Sequence, residues 1–230
     1  MKKAISWKLN RVVSIETRRG VFVLAQMLKE PFLRFYKAFR EDENWGKVDA
    51  GSFETLAVNA VTRQFLKFSK ITIAKEATPD TTRSDSKLWI NLKNGSRKVK
   101  VWEGTENESA FVVLGAAPGG SLVEKDLWWS PTPSNPTRPH PSGVVDAVLR
   151  EDIELDDDVL IDQYELTSLA VYPAMNERLY LCSKAGKNVD PAKEIGFGRK
   201  LPLSYKVYVE ILVAGSNRVE ANRILDTYFR

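Results

Sequence analysis

"KLNRVVSIETRRGVFVLAQML", residues 8–28, predicts two β-strands joined by a tight turn. Arg18, Arg19 and Gly20 fit a three-residue hairpin loop, because glycine readily adopts the left-handed backbone conformation that such a loop needs. The second strand, Val21 to Leu28, is apolar on both faces, which is typical of a strand with neighbours on both sides. Phe32 to Phe39 follows as a third strand, so the chain is predicted to open as an antiparallel meander or a barrel-like sheet.

A second hairpin is predicted from "LWINLKNGSRKVKVW", residues 88–102, where Asn94-Gly95 separates two alternating runs. A two-residue loop would pair Trp89 with Lys100 across this hairpin. The inward face would then be aliphatic. The outward face would be aromatic and cationic, and would carry Trp89, Lys93, Lys98, Lys100 and Trp102.

Helices and one further strand are predicted from the spacing of apolar residues. Helical spacing over Phe53 to Phe68, with Ser52 as N-cap, predicts one helix, and residues 174–186 predict a second that ends at a glycine. Leu203 to Ala214 alternates and predicts a strand. The chain then ends in a helix for which Asn217 is the predicted N-cap.

A proline-rich connector is predicted between two domains. Residues 127–142 contain five prolines, each of which fixes its backbone and removes a hydrogen-bond donor, so no helix or sheet ladder can continue through them. We therefore predict a β-rich domain with one helix over residues 1–126 and a smaller α+β domain with a C-terminal helix over residues 143–230. The predicted fold class is α+β, with a mostly antiparallel N-terminal part. A polyproline ligand for an aromatic groove is the alternative interpretation of the connector.

Charge is unevenly distributed along the 230 residues. Residues 1–100 hold 21 Lys and Arg against 10 Asp and Glu, a net charge of +11, and residues 101–230 hold the other 13 against 20, a net charge of −7. A basic half favours an acidic partner, which is either nucleic acid or an acidic protein surface. Alternatively, the two halves attract each other or the charges are simply solvated.

Cellular location is predicted from composition. A single cysteine excludes an internal disulfide bond, and no uncharged apolar run approaches the roughly 20 residues that span a bilayer. The opening residues, MKKAISWKLNR, lack the apolar run of a secretory signal. These features predict a cytoplasmic protein that does not bind a membrane.

Catalytic side chains do not gather in the sequence. His140 is the only histidine and lies between two prolines, and Cys182 lies in an apolar helical stretch, so neither a nucleophile–base pair nor a Cys/His zinc site is expected. Asp80 and Asp85 are only five positions apart and lie in a predicted loop, which disfavours a nuclease site of the carboxylate-and-lysine type. We predict no catalytic residues, no metal and no cofactor. An enzyme assembled from scattered Asp, Glu and Lys residues stays an alternative.

Two surfaces are candidate binding sites. Tryptophans on the hairpin face could stack on bases or anchor a protein while the lysines attract an acidic partner. Alternatively, the lysine stems only cover the tryptophans. The acidic run of the second half would suit a basic partner such as a nuclease and could mimic nucleic acid. Its candidate contact residues are Glu151, Asp152, Asp156, Asp157 and Asp158.

The stretch "SIETRRGVFVLAQMLKEPFLRFYKAF", residues 14–39, followed by Trp45, resembles the opening of the immunity proteins numbered family twenty-six in bacterial polymorphic-toxin systems. The resemblance covers residues 8–70 and consists of the basic-glycine turn, an apolar strand with Gln26, and a second apolar strand. It implies a cytoplasmic, non-catalytic protein that binds and neutralises a toxin or effector in interbacterial competition. The alternative is a protein that binds or processes nucleic acid through its basic half.

Overall fold

The computed structural model describes residues 5–125, 145–215 and 217–229, with the backbone alone for residues 145 and 146. In chain order the elements are β1 (Val12–Glu16), β2 (Phe22–Met27), β3 (Phe32–Arg40), β4 (Thr55–Ala60), α1 (Arg63–Phe68), β5 (Ile71–Ile73), β6 (Leu88–Leu92), β7 (Ser96–Val101), β8 (Ser109–Leu114), β9 (Gly120–Lys125), β10 (Val145–Arg150), α2 (Asp158–Gln163), β11 (Glu165–Leu166), α3 (Ala174–Ala185), α4 (Pro191–Phe197), α5 (Lys206–Ala214) and α6 (Arg218–Tyr228). The predicted α+β class is confirmed. Among the described residues, no helix is both long and apolar enough to cross a bilayer.

Two compact units divide the described chain. The first holds the residues up to Lys87 and residues Ser168–Asn188, and the second holds Leu88–Lys125, Val145–Thr167 and the residues from Val189 onward. The chain therefore passes between the units several times, whereas the predicted domains, 1–126 and 143–230, meet at one connector. The two units are defined by compactness, whereas the predicted domains are segments expected to fold independently. Those two domains therefore stay a prediction. The connector, residues 127–142, lies outside the described residues.

The first unit is built on a five-stranded sheet with the order β4-β3-β2-β1-β5. The predicted meander is confirmed, because β1 pairs with β2 and β2 with β3, in both cases antiparallel. All six residues of β2 are buried, as expected for a strand with a neighbour on each edge. Trp45 covers one face of this sheet, where its indole N–H donates to Ser14 Oγ at 2.9 Å.

α3 is fixed to the first sheet by buried polar contacts. Asn176 Nδ2 donates to the Glu16 carbonyl at 2.7 Å, and Arg18 binds the fully buried Glu177 carboxylate through two guanidinium nitrogens. The helix ends at Gly186, which adopts the left-handed conformation with φ 63°, and this confirms the predicted C-terminus.

The second unit contains a four-stranded sheet with the order β10-β9-β6-β11 and a separate two-stranded sheet of β7 and β8. One face of the larger sheet packs against α2 and α4 in an apolar cluster that includes Ile90, Ile161 and Phe197. The C-terminal helix is confirmed, because Asn217 Oδ1 accepts hydrogen bonds from the Val219 and Glu220 amides at the start of α6.

The predicted hairpin of residues 88–102 is wrong, because β6 and β7 lie in different sheets. β6 pairs with β9 on one edge and with β11 on the other, so it has no free edge for β7. β7 pairs instead with β8, its neighbour along the chain. The turn at Asn94-Gly95 forms, with Gly95 at φ 104°, but it directs the chain into another sheet.

Two further predictions of secondary structure are wrong in part or in full. The first half of Phe53 to Phe68 forms β4, because β3 offers an edge along which Thr55–Ala60 pairs, and the helix begins only at Arg63 after the Thr62 N-cap. Leu203 to Ala214 forms a 3₁₀ turn and α5 rather than a strand. The apolar residues of this segment also fit the spacing of one face of a helix. α5 packs against β8 and α6.

Gly120 allows β6 and β9 to pair closely. A Cβ at this position would lie 2.7 Å from the Asn91 carbonyl oxygen and 3.3 Å from its carbonyl carbon, which belong to rigid backbone. We expect Gly120→Ala to lower the free energy of unfolding by about 1–3 kcal/mol, measured by urea denaturation. Ser121→Ala is the matched control and should change it by less than about 1 kcal/mol. Equal effects of the two substitutions would contradict the close approach.

Candidate functional site

β7 and β8 form a two-stranded ribbon with one outward face, which we call the ribbon face. The register places Ser96 opposite Leu114, Lys98 opposite Val112 and Lys100 opposite Ala110. These six residues point away from the unit, because burial alternates along β7, where Arg97, Val99 and Val101 turn inward.

The inward side holds the ribbon firmly on the second unit. Arg97 donates to the carbonyl oxygens of Gly115 at 3.1 Å, Ile195 at 2.7 Å and Gly196 at 3.2 Å, so one guanidinium ties β7 to α4. Trp102 ends the ribbon, and its indole N–H donates to the Leu201 carbonyl at 2.9 Å. The ribbon face is therefore presented by an anchored element.

Two large aliphatic side chains dominate the ribbon face. Val112 and Leu114 are each 68% exposed, and both point outward because they are two residues apart on β8. Adjacent exposed aliphatic residues on a fixed strand gain free energy when a partner covers them. Neither ribbon strand pairs with a third strand within the described residues.

The two lysines of the ribbon face carry its positive charge. Lys98 lies directly across from Val112 and makes no ion pair with any residue that the structure describes. Lys100 lies 3.4 Å from Glu103 and 3.5 Å from Glu108, and the hydrogen bond that it donates to Glu103, together with the charge of Glu108, raises the pKa of this lysine. Lys98 is thus the exposed cation available to a partner.

The predicted tryptophans do not lie on this face. Trp89, the second residue of β6, is 3% exposed, lies opposite Val123 and has the ammonium of Lys125 at 5.9 Å from its ring centroid. Trp102 is half-buried by its contact with Leu201. Lys98 and Lys100 share a face as predicted, but with Val112 and Leu114 instead of tryptophans.

Val112 and Leu114 were missed because "SAFVVL" predicts a strand without indicating which of its faces is buried. Period-2 alternation needs one polar face to orient a strand, and this run has apolar residues on both. The lysines of β7, the strand that pairs with β8, could have indicated which face of β8 is exposed. The predicted hairpin of residues 88–102 paired those lysines with β6 instead.

Lys93 is separated from the ribbon lysines and joined to the acidic segment. Its ammonium lies 3.0 Å from Asp152 Oδ1. Asp157 caps α2 and binds Arg150 at 2.8 Å, while Asp158 binds Arg199. The three predicted acidic residues Asp152, Asp157 and Asp158 are therefore already paired within the second unit.

Glu151 and Asp156 are the other two predicted acidic contacts. Both are exposed, and neither makes an ion pair with a described residue. The acidic segment therefore offers a basic partner two unpaired carboxylates, fewer than its sequence indicates.

Asp80 and Asp85 come together around a buried cation. Arg34 is 1% exposed, and it donates to Asp85 through Nε and Nη2, each at 2.9 Å. Its Nη1 lies 3.4 Å from Asp80 Oδ2. The two acids therefore bind a buried cation of the first sheet.

Asp80 is also held by the backbone of its own loop. Its Oδ1 accepts hydrogen bonds from the amides of Thr82 and Arg83, and although burial opposes ionisation, these bonds keep the pKa of Asp80 below its usual value. Gln26 and Tyr36 extend the network, since Gln26 Oε1 accepts from the Tyr36 hydroxyl at 2.8 Å and from the Asp80 amide at 2.8 Å. The cluster attaches residues 80–85 to the sheet.

Metal-binding geometry is absent from the described part of the chain, where no three His, Cys, Asp or Glu side chains are close enough to hold an ion. Cys182 is buried in α3, as the sequence predicted. His140 lies outside the described residues.

Comparison with known proteins gives one match. A family model described as "Domain of unknown function (DUF8309)" matches residues 2–199. No curated protein and no solved structure matches the chain.

Proposed function

Because the chain belongs to the DUF8309 family, a domain family of unknown function, we propose its role from its surface: it is a non-catalytic binding protein that inhibits a partner protein by direct contact. The observation that carries this proposal is the ribbon face, where Val112 and Leu114 are exposed beside Lys98 on an anchored strand pair. Aliphatic anchors with a flanking charge suit a protein interface.

The partner that fits the ribbon face has an apolar patch bordered by carboxylates. Val112 and Leu114 would supply the buried centre of the interface, and Lys98 would lie at its rim. A rim charge mainly accelerates association, while buried apolar groups govern dissociation. We therefore expect an affinity that depends on the two aliphatic residues and varies little with salt.

We propose that the partner is a toxin or effector and that the chain is an immunity-type inhibitor acting in the cytoplasm of bacteria. This finer assignment is supported by the resemblance of residues 8–70 to family-twenty-six immunity proteins. A toxin-bearing reading frame next to the gene would support it further.

If a toxin-bearing reading frame lies next to the gene, its effector domain is the partner with which the ribbon face can be tested. Replacing Val112 and Leu114 with glutamate should weaken its binding at least about 30-fold, since it removes two central contacts and places charges in an apolar interface. Isothermal titration calorimetry measures the loss, and co-expression in a sensitive host reports whether protection is lost with it.

Val159→Glu is the matched control, because Val159 is 80% exposed and lies on α2 instead of the ribbon. It should bind like the native chain. Native affinity in the Val112→Glu, Leu114→Glu variant would rule out the ribbon face as the contact. No binding of the effector domain by the native chain would rule out the inhibitor assignment.

Nucleic acid is the alternative partner, and salt dependence distinguishes it. Binding through several phosphates should weaken steeply and linearly in log salt, and Lys98→Glu with Lys100→Glu should reduce it. Titration with generic single- and double-stranded DNA and RNA at two salt concentrations gives the answer. Of the two tryptophans predicted to stack on bases, Trp89 is buried in β6 and Trp102 is half-buried by its contact with Leu201.

A further inference from the structure

β5 is an edge strand of the first sheet, and its outward backbone groups make no hydrogen bond to a residue that the structure describes. The Ala74 amide donates to Val12 and the Glu16 amide to Lys70, so Thr72, which lies midway, is the β5 residue that bonds to Ser14 of β1. Ile71 and Ile73 then direct their N–H and C=O groups away from the sheet. No described strand pairs with this edge.

A cleft of about 220 Å³ lies beside the same edge. Trp45 and Gly46 form one wall, and Thr72 lies on the other, on the sheet face that Trp45 covers. Glu43 and Glu76 line the cleft, and neither makes an ion pair with a residue that the structure describes. Lys75 is the single cation among the lining residues, which together carry a net charge of −1, and Arg40 stacks on Trp45 at 4.9 Å from its ring centroid.

We infer that this edge binds an extended peptide segment of another protein as a sixth strand, with a lysine or arginine side chain in the cleft. The added strand would bond to the outward-facing backbone groups of Ile71 and Ile73. Its residue opposite Thr72 would enter the cleft between Glu43 and Glu76.

The residues on either side of that basic side chain point to the opposite face of the sheet. There they would cover Ile73, which is 45% exposed, and Ile71. The recognised pattern is therefore an apolar, a basic and an apolar residue in succession.

The two carboxylates disfavour phosphate groups, so this site is distinct from one that binds nucleic acid. The inference is independent of the ribbon face, which belongs to the second unit.

A defined probe tests the inference on the full chain. The probe is a seven-residue peptide, capped at both ends, in which valine and threonine alternate around a central lysine flanked by valines. We expect saturable binding by calorimetry, with slowed amide exchange at Ile71 and Ile73. A peptide with central glutamate should bind at least 10-fold more weakly. Equal binding of both peptides, or no binding at 1 mM peptide, would overturn the inference.

Two variants locate the site. Ile73→Pro removes the outward N–H without touching a bond to β1, and it should abolish binding. Glu43→Gln with Glu76→Gln should weaken the lysine peptide at least 5-fold even if the proline variant folds poorly. Glu54→Gln with Glu106→Gln is the matched control, since both residues are exposed and lie outside the cleft. Equal affinity in the two double variants, or peptide-dependent self-association, would contradict the site.

Discussion

Replacing Arg34 with methionine is expected to lower the free energy of unfolding by about 3–5 kcal/mol, because it leaves the half-buried Asp85 carboxylate without its cation and the buried Asp80 carboxylate with Arg83 alone. Arg34 is 1% exposed and makes two hydrogen bonds of 2.9 Å to Asp85. It also donates to the Arg83 carbonyl at 2.9 Å, so its loss frees the loop that covers the sheet. Urea denaturation measures the change, and an unchanged slope would show that the unfolded state is unaffected.

Two comparisons isolate the buried cation. Lys37→Met removes an exposed cation that lies 3.3 Å from Glu54, and this should cost less than about 1 kcal/mol. Adding Asp80→Asn and Asp85→Asn to Arg34→Met should restore part of the lost stability, since no unpaired charge then stays buried. A loss under 1 kcal/mol for Arg34→Met would show that the cluster does not stabilise the fold.

Loss of the proton from Lys125 is expected to raise the free energy of unfolding as pH rises from about 8 to about 10.5. This last residue of β9 is 2% exposed, and its ammonium makes no hydrogen bond or ion pair with a described residue. Burial lowers the pKa of Lys125 from 10.5 to about 8. The folded protein therefore releases the proton at lower pH than the unfolded chain does.

The sign and size of the effect follow from proton binding. Below pH 8 both states hold the proton, and the folded state bears the full cost of a buried charge. Between pH 8 and 10.5 the unfolded state binds more protons, so the free energy of unfolding rises with pH, by about 3 kcal/mol in all. Above that range neither state is charged at this residue, and the cost is gone.

Lys125→Met should remove this dependence and raise the free energy of unfolding at pH 7 by about 1–3 kcal/mol. The quantity to measure is the difference between the native and variant curves at pH 7, 9 and 10, which cancels the titration of the tyrosines. Lys98→Met, at an exposed lysine, should leave the curve unchanged. Parallel curves for the native chain and Lys125→Met would contradict the shifted pKa.

The first three strands of the first sheet were predictable because their pairings are local. Gly20 fixes the turn between β1 and β2, and the apolar faces of β2 require a neighbour on both edges, which β1 and β3 supply within a few residues. The end of α3 at Gly186 and the start of α6 at Asn217 were predictable for the same reason, since a cap depends on adjacent residues.

The candidate site was predicted only in its lysines. Lys98 and Lys100 alternate with inward residues in any strand that contains them, so their shared face follows from the sequence. Their neighbours do not, because Asn94-Gly95 specifies a turn but not which strand lies beyond it. β6 accepts β9 and β11, which lie farther along the chain, and thereby excludes β7.

The sequence by itself determined the α+β class, the opening meander and the ends of the two long helices, because turn residues and apolar periodicity act over a few positions. Only the tertiary structure decided the partners of β6, the helical state of Lys206–Ala214 and the pairing of Arg34 with Asp80 and Asp85. These depend on residues tens of positions apart competing for the same edge or the same charge. Such competition is resolved by packing and burial across the whole unit, which no local pattern contains.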